Sequence, residues 1–366
     1  MIPANDSLKP EERVLYALRG LYQRYGYSQF KMSKFEEYDL YARNKDFLIS
    51  DGVITFTDTD GRLMALKPDV TLSIIKNTRQ MPGSVQKLYY NENVYRISGS
   101  TRCFKEIMQT GLECIGDVDL YNLCEVILLA AESLEAIDPG YVLDLSHMGV
   151  VSALVDALEL DDERRTAVIA CIGEKNGDGV RRLCPDRDIS GILALIAAHG
   201  PAEQVVEALR PWCGAGDAKD ALDELSRVTG VLAANGCDGV RVDFSIVNDM
   251  NYYNGIVFMG YINGIPAGVL SGGQYDKLMR RMGRDCRAVG FAIYMDLLER
   301  LHDEPRPYDV DTLVLYDDRA DIAALTRTVR ELAGEGASVR AQKAVNEKLR
   351  YRRLVRFGEG GIADGE

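Results

Sequence analysis

Residues 104–117 read FKEIMQTGLECIGD. Side chains on an extended strand alternate between its faces, so Ile107, Gln109, Gly111, Glu113 and Ile115 share one side. Gln109 and Glu113 flank a glycine with no side chain of its own. A small ligand fits against that bare backbone, between two polar groups. A solvated stripe on an edge strand accounts for the same alternation, because Gln and Glu are seldom buried without a partner.

Upstream, KLYYNENVYR (87–96) has the composition of a second long strand. The polar loop ISGSTRCFK (97–105) joins the two into a hairpin whose tip carries Arg96, Arg102 and Lys105. Basic groups there suit an anion or a solvated loop. Arg96 reads equally as a contact for a ligand carboxylate and as an anchor for the hairpin. Before this hairpin comes a smaller one, VITFT and RLMAL about the turn DTDG (53–66). Next, LKPDVT (66–71) leads into a helix through TLSIIKNTR, with Asp69 or Thr71 as its cap. After the long hairpin, Asp117 is the expected cap of a helix reaching Ile137, with an apolar face from Leu120 to Leu134.

Toward the N-terminus, Val14, Leu15, Leu18, Leu21, Tyr22 and Tyr25 recur at helical spacing between Pro10 and Gly26. Toward the C-terminus, residues 148–235 are rich in Ala and Leu, with repeated helical patterns and almost no strand signal. They read as a helical insertion. Strands return at GVRVDFSIV (239–247), followed by IVFMGYI, an Asn263-Gly264 turn, AGVLSGGQ with Gly272 and Gly273, and AVGFAIYM. The two glycines suit a turn or a pocket floor. From Pro305 the pattern is strand, helix, strand, then the basic and weakly structured EKLRYRRLVRFGEGG. The expected fold class is α+β: an antiparallel sheet flanked by helices. The domains fall at 1–147 with 236–304, at 148–235, and at 305–366, the last a small βαβ unit.

Composition narrows the possibilities further. The chain has 366 residues, 46% of them hydrophobic, and a formal net charge of −13. Such acidity disfavours a broad electrostatic footprint on nucleic acid. No apolar run of about 18 residues marks a membrane span. The N-terminus MIPANDSLKPEERV lacks the apolar core of a secretion signal, so a cytoplasmic location is expected. Eight cysteines without CxxC spacing and three histidines point to no metal and to no cofactor of metal type.

Taken in order, LKPDVT (66–71), VYR (94–96), QTGLECIG (109–116), NDMNYYNGIVF (248–258), SGGQYDKL (271–278) and AVGFAI (288–293) resemble the class II aminoacyl-tRNA synthetase core of the histidyl type. The resemblance spans about residues 10–300. It implies a histidine pocket: Asp69 and Thr71 toward the amino group, Gln109 and Glu113 on the bound amino acid, and Tyr252 and Tyr253 lining the imidazole. Arg96 matches a phosphate-handling arginine. The departures are as informative. Asn248 and Leu297 stand where the enzymes carry arginines, Ser98 where they carry an acidic residue, and Tyr294 where they carry a small glycine. Losing one group that stabilises transition-state charge costs about 10²–10³ in rate.

A core that keeps the amino-acid pocket and loses the ATP chemistry resembles the regulatory subunits of ATP phosphoribosyltransferase, as does LSHMGVV (145–151). That resemblance implies a non-catalytic subunit. It would dimerise, join the short-form catalytic subunit in a hetero-octamer at the first step of histidine biosynthesis, and relay feedback inhibition by L-histidine. It implies no tRNA partner, since the tail looks like a shortened anticodon-binding domain. A divergent histidyl-tRNA synthetase and a stand-alone histidine sensor are the alternatives.

Overall fold

A computed structural model describes residues 9–45, 48, 52–79, 83–97, 102–247, 252–298, 307–334, 336–358 and 361–363. Ser98 and Asn248, which the sequence comparison singled out, lie outside the described residues. The chain divides into two compact units, Met1–His302 and Asp303–Glu366.

The first unit opens with helix α1 (Pro10–Arg24), which starts on a proline whose missing N–H costs nothing there. The Lys9 amide donates to the Glu12 carboxylate at 2.8 Å, closing the first turn. Gly26 ends it at φ 83°. After β1 (Ser28–Gln29) come β2 (Phe35–Glu37), α2 (Tyr38–Ala42), β3 (Thr55–Thr57) and β4 (Leu63–Leu66). Strands β2, β4 and β3 make a small antiparallel sheet. Helix α3 (Thr71–Asn77) precedes the two long strands β5 (Val85–Ile97) and β6 (Phe104–Gly116), paired antiparallel from end to end.

Helix α4 (Leu120–Glu135) is capped by Asp119, not Asp117. Asp119 Oδ1 accepts from the Asn122 amide, and the Asn122 side chain accepts from the Asp119 amide. Asp117 instead accepts from the Gly83 amide, tying the end of β6 to the start of β5. Strand β7 (Val142–His147) leads to α5 (Met148–Asp156), α6 (Asp162–Gly173), α7 (Gly177–Leu183), α8 (Ser190–Ala197), β8 (His199–Gly200), α9 (Ala202–Leu209) and α10 (Gly216–Ala234). Two-residue β8 was not foreseen. It is too short for an alternation to show, and its pairing with the next strand is what defines it. Strands β9 (Val240–Asp243), β10 (Ile256–Tyr261), β11 (Leu270–Gln274) and β12 (Arg287–Tyr294) complete the sheet, with α11 (Asp276–Arg281) and α12 (Met295–Leu298) beside them. Strands β10 and β11 pair antiparallel as expected. Their link spans 262–269, longer than the two-residue turn that Asn263-Gly264 suggests.

The nine-stranded sheet has the order β1-β5-β6-β12-β11-β10-β7-β9-β8. It is antiparallel except where β1 meets β5 and β7 meets β9. Strand β6 therefore lies inside the sheet, which removes the edge-strand reading of its polar face. Its even-numbered side chains Leu112 and Cys114 join a large core with α4 and the helices α5–α10. Its odd-numbered face looks toward a second core built on Val70, Leu72, Ile74, Tyr252 and Tyr275.

The second unit holds β13 (Val310–Tyr316), α13 (Ile322–Gly334), β14 (Val339–Gln342), β15 (Tyr351–Gly358) and β16 (Gly361–Ala363), in the sheet order β14-β13-β15-β16. The basic tail is thus better ordered than its composition suggested. On β15 the exposed Arg356 stands between the buried Val355 and Phe357, which pack with Val314 and Leu325. The charge hid the period.

Candidate functional site

The face of β6 that carries Gln109, Gly111 and Glu113 forms part of the wall of a cavity of about 320 Å³. All seven residues singled out from the sequence line it: Asp69, Thr71, Arg96, Gln109, Glu113, Tyr252 and Tyr253. They come from four separate segments. Strand pairing accounts for part of this, because Glu113 faces Gly290 on β12 and Leu88 on β5. Helix α3 brings in Asp69 and Thr71 across the sheet face.

Glu113 is 2% exposed and Gln109 3% exposed. The Thr71 hydroxyl donates to Glu113 Oε1 at 2.7 Å, and the Tyr275 hydroxyl donates to Oε2 at 2.5 Å. Burial pushes the Glu113 carboxyl up from 4.5 to about 8, against the pull of those two hydroxyls and helped by the nearby Asp69. Asp69 is raised as well, again by burial, opposed by the amides of Leu72 and Thr71 and by Arg96. Its Oδ1 accepts from the Leu72 amide at 2.9 Å, so Asp69, one residue before the N-cap Val70, satisfies a first-turn amide of α3 and borders the cavity. Arg96 donates from Nε to the Pro68 carbonyl at 2.9 Å while it lines the cavity, so anchoring and site-facing roles coexist. Among the described lining residues, only Asp69, Glu113 and Arg96 are formally charged.

The aromatic wall is continuous. The Tyr252 ring lies 4.6 Å from Tyr253 at 64° and 5.8 Å from Tyr275 at 51°. These edge-on and tilted contacts favour a rigid wall. Three glycines make the arrangement fit. A Cβ on Gly290 would stand 1.8 Å from Glu113 Oε2, and one on Gly273 would stand 2.7 Å from the Tyr253 ring. At Gly111 a Cβ would meet the Phe291 carbonyl at 2.1 Å and the Tyr90 hydroxyl at 2.7 Å. The bare backbone at Gly111 therefore receives a tyrosine, where the sequence suggested a ligand.

Tyr90, Ser271, Tyr275, Gly290 and Tyr294 also line the cavity and were not picked out as site residues. Tyr90 was within reach, since it sits opposite Gly111 in the β5–β6 register. Tyr275 follows the end of β11, past the last residue whose direction an alternation fixes. Leu297 is packed against the large core, and no charge replaces the arginine expected at its position.

Chemically, this is a pocket with two buried acids, one guanidinium and flat aromatic walls. Such a lining is chemically complementary to a compact group with more than one N–H and a single anionic end.

Residues 5–298 match the family model described as histidyl-tRNA synthetase. A Moorella thermoacetica protein described as an ATP phosphoribosyltransferase regulatory subunit is 30% identical over 356 residues, which is 92% of this chain and 90% of its own length. A crystal structure from Bacillus halodurans, described as an ATP phosphoribosyltransferase regulatory subunit/histidyl-tRNA synthetase, has a TM-score of 0.78 at 24% identity, covering 97% of this chain and 96% of that one. A chain in the ATP phosphoribosyl transferase complex from Thermotoga maritima gives 0.63 at 20% identity, covering 79% and 98%. These structural likenesses show a shared fold, the class II aminoacyl-tRNA synthetase type with a small C-terminal sheet domain. With the sequence match over nearly its whole length, the chain belongs to the ATP phosphoribosyltransferase regulatory subunit family, on a histidyl-tRNA synthetase-like fold.

Proposed function

We propose that this chain binds free L-histidine in the Asp69–Glu113 cavity and, as a non-catalytic subunit, relays that binding to an ATP phosphoribosyltransferase catalytic subunit. One observation carries the reading: two buried carboxylates, Asp69 and Glu113, and one arginine, Arg96, converge on an aromatic-walled pocket. A histidine zwitterion matches each part. Its carboxylate suits Arg96, its ammonium suits Asp69 with Gln109, and its ring N–H suits Glu113 between Tyr252 and Tyr253. The lone-pair nitrogen of an incoming imidazole takes the proton that burial keeps on Glu113, leaving a carboxylate that accepts from the resulting ring N–H, which favours a nitrogen-bearing ring over an apolar one.

The protein from Thermotoga maritima is by its description part of an ATP phosphoribosyl transferase complex, and the same class of partner is proposed here. The partner is the short-form catalytic subunit, met by dimers of this chain in a cytoplasmic hetero-octamer. Leu297 in place of an arginine supports a chain that does not activate histidine with ATP. Histidine shifts the complex only in proportion to its preference for the inhibited arrangement, and a coupling of about 1–3 kcal/mol is ordinary.

The test mixes this chain with a short-form catalytic subunit and follows phosphoribosyl transfer with and without L-histidine, alongside calorimetric titration of the chain alone. Activity should require the mixture and fall with histidine. Absence of histidine binding, together with histidine-dependent ATP–pyrophosphate exchange or no effect on the partner, would sink the proposal.

A further inference from the structure

The Tyr252–Tyr253 wall is the part of the cavity that strand register does not place. It precedes β10, and the chain between wall and strand is held by one peptide. The Gly255 carbonyl of that peptide accepts from the Met148 amide, at the start of α5, at 2.9 Å. Its N–H, on Ile256, donates to the side-chain Oε1 of Gln274 at 2.6 Å. One step along, Val257 pairs with Gly273 in the regular ladder. At Gln274 the ladder changes partners. The main-chain carbonyl of Gln274 accepts from the Asn254 amide at 3.0 Å, and its side chain takes the amide of Ile256. A side-chain oxygen thus stands in for a main-chain acceptor at the point where β10 begins. Gly255 makes room for it, since a Cβ there would lie 2.1 Å from Oε1. Asn254 is tied as well: its Oδ1 accepts from the Lys277 amide at 3.1 Å.

Gln274 itself is 2% exposed. Alternation along β11 groups it with Leu270, which packs in the helix-side core, and it is not among the described residues that line the cavity. Both its neighbours in sequence meet the wall. Gly273 leaves the space that the Tyr253 ring occupies, and the Tyr275 ring lies 5.8 Å from Tyr252. Without the Gln274 oxygen a buried amide loses its acceptor, and the peptide must turn to find another. Tyr253 stands two residues before that amide's glycine and turns with it.

We propose that Gln274 is a positioning residue for the ligand ring: from behind the sheet it fixes the Gly255–Ile256 peptide, and through it the spacing between the Tyr252–Tyr253 wall and Glu113. This rests on the histidine reading above. A bound imidazole is gripped between that wall and that carboxylate, so Gln274 governs how strictly the ring is sized without touching it.

Calorimetry on the full chain tests it with two probes, L-histidine and Nτ-methyl-L-histidine, which differ by one methyl on the ring. The wild-type chain should prefer L-histidine by about 10–100-fold. Gln274→Met keeps the length, removes the acceptor and should cut that preference to about threefold or less. Gln274→Glu keeps an acceptor oxygen and should hold the preference within about threefold of the wild-type value. The ratio is the readout because a variant that is merely less stable weakens both probes by the same factor and leaves the ratio alone. If Gln274→Met does not fold, Gly255→Ala strains the same contact from the other side and should lower the ratio likewise. An undiminished preference in the Met variant, or in the Ala variant used in its place, overturns the proposal. Its loss in the Glu variant does so too, as does equal binding of the two probes by the wild-type chain. Failure of the wild-type chain to bind L-histidine overturns the reading beneath it and the proposal with it.

Discussion

Two glutamates on the same face of the long hairpin have opposite surroundings. Glu92 on β5 receives the ammonium of Lys67 at 2.5 Å, and Lys67 is fully buried. Glu113 on β6 has two hydroxyl donors, and the nearest charged influence on it is another acid, Asp69. The first carboxylate is neutralised inside the protein. The second is kept neutral by holding its proton. A half-buried acid with its own buried cation is part of the frame, whereas a buried one furnished only with hydroxyls has capacity left for an incoming N–H. The contrast separates scaffold from site on a single hairpin.

Removing the frame's cation should have the largest effect. Lys67→Ala strips Glu92 of its partner and leaves a gap, and should cost about 3–5 kcal/mol in urea unfolding. A loss under 1 kcal/mol would mean that Glu92 rehydrates, and the contrast would lose one of its two arms.

Gly290→Ala comes next. Its added methyl would sit 1.8 Å from Glu113 Oε2, so carboxylate or strand must move. A stability cost of about 1–3 kcal/mol is expected, with L-histidine binding lost in calorimetry. Unchanged binding would show that Glu113 does not need its observed position.

Glu113→Gln addresses the proton. The folded carboxyl titrates at about 8 and an unfolded one at 4.5. Between those values the folded chain holds a proton that the unfolded chain has released, so stability falls as pH rises from 4.5 to 8. The variant has no proton to lose and should show a flatter stability profile between pH 5 and pH 8. Parallel profiles for the two proteins would show that Glu113 titrates normally.

Asp69→Asn should have the smallest effect on folding. Asn still accepts from the Leu72 amide in the first turn of α3, so the stability change stays below about 1 kcal/mol. Histidine affinity should nevertheless drop by about tenfold through loss of the charge facing an ammonium. A stability loss above about 1 kcal/mol with unchanged histidine affinity would assign Asp69 to the helix alone.

Much of this was legible in the chain, and for identifiable reasons. Alternation on β6, the pattern of α1 and the turn between β3 and β4 are local properties, set by backbone geometry within a few residues. The seven residues of the site were found because their motifs occur in a recognisable order. Other features stayed hidden. Asp117 and Asp119 are equally good caps on paper, and only the path of the chain out of β6 chose between them. The period of β15 was masked by its arginines. Tyr275 projects from the junction of β11 and α11, where no periodicity predicts direction.

What the sequence alone determined, then, is the set of elements and the chemical types available to the site, because those depend on neighbours in the chain. Tertiary structure decided that the polar face of β6 is buried along with its apolar one, because β12 comes from residues far along the chain to lie beside it. It decided that Tyr90 fills the space above Gly111. It also decided that Glu113 keeps its proton, since a carboxylate's charge state follows from the water and ions that the rest of the fold removes from it.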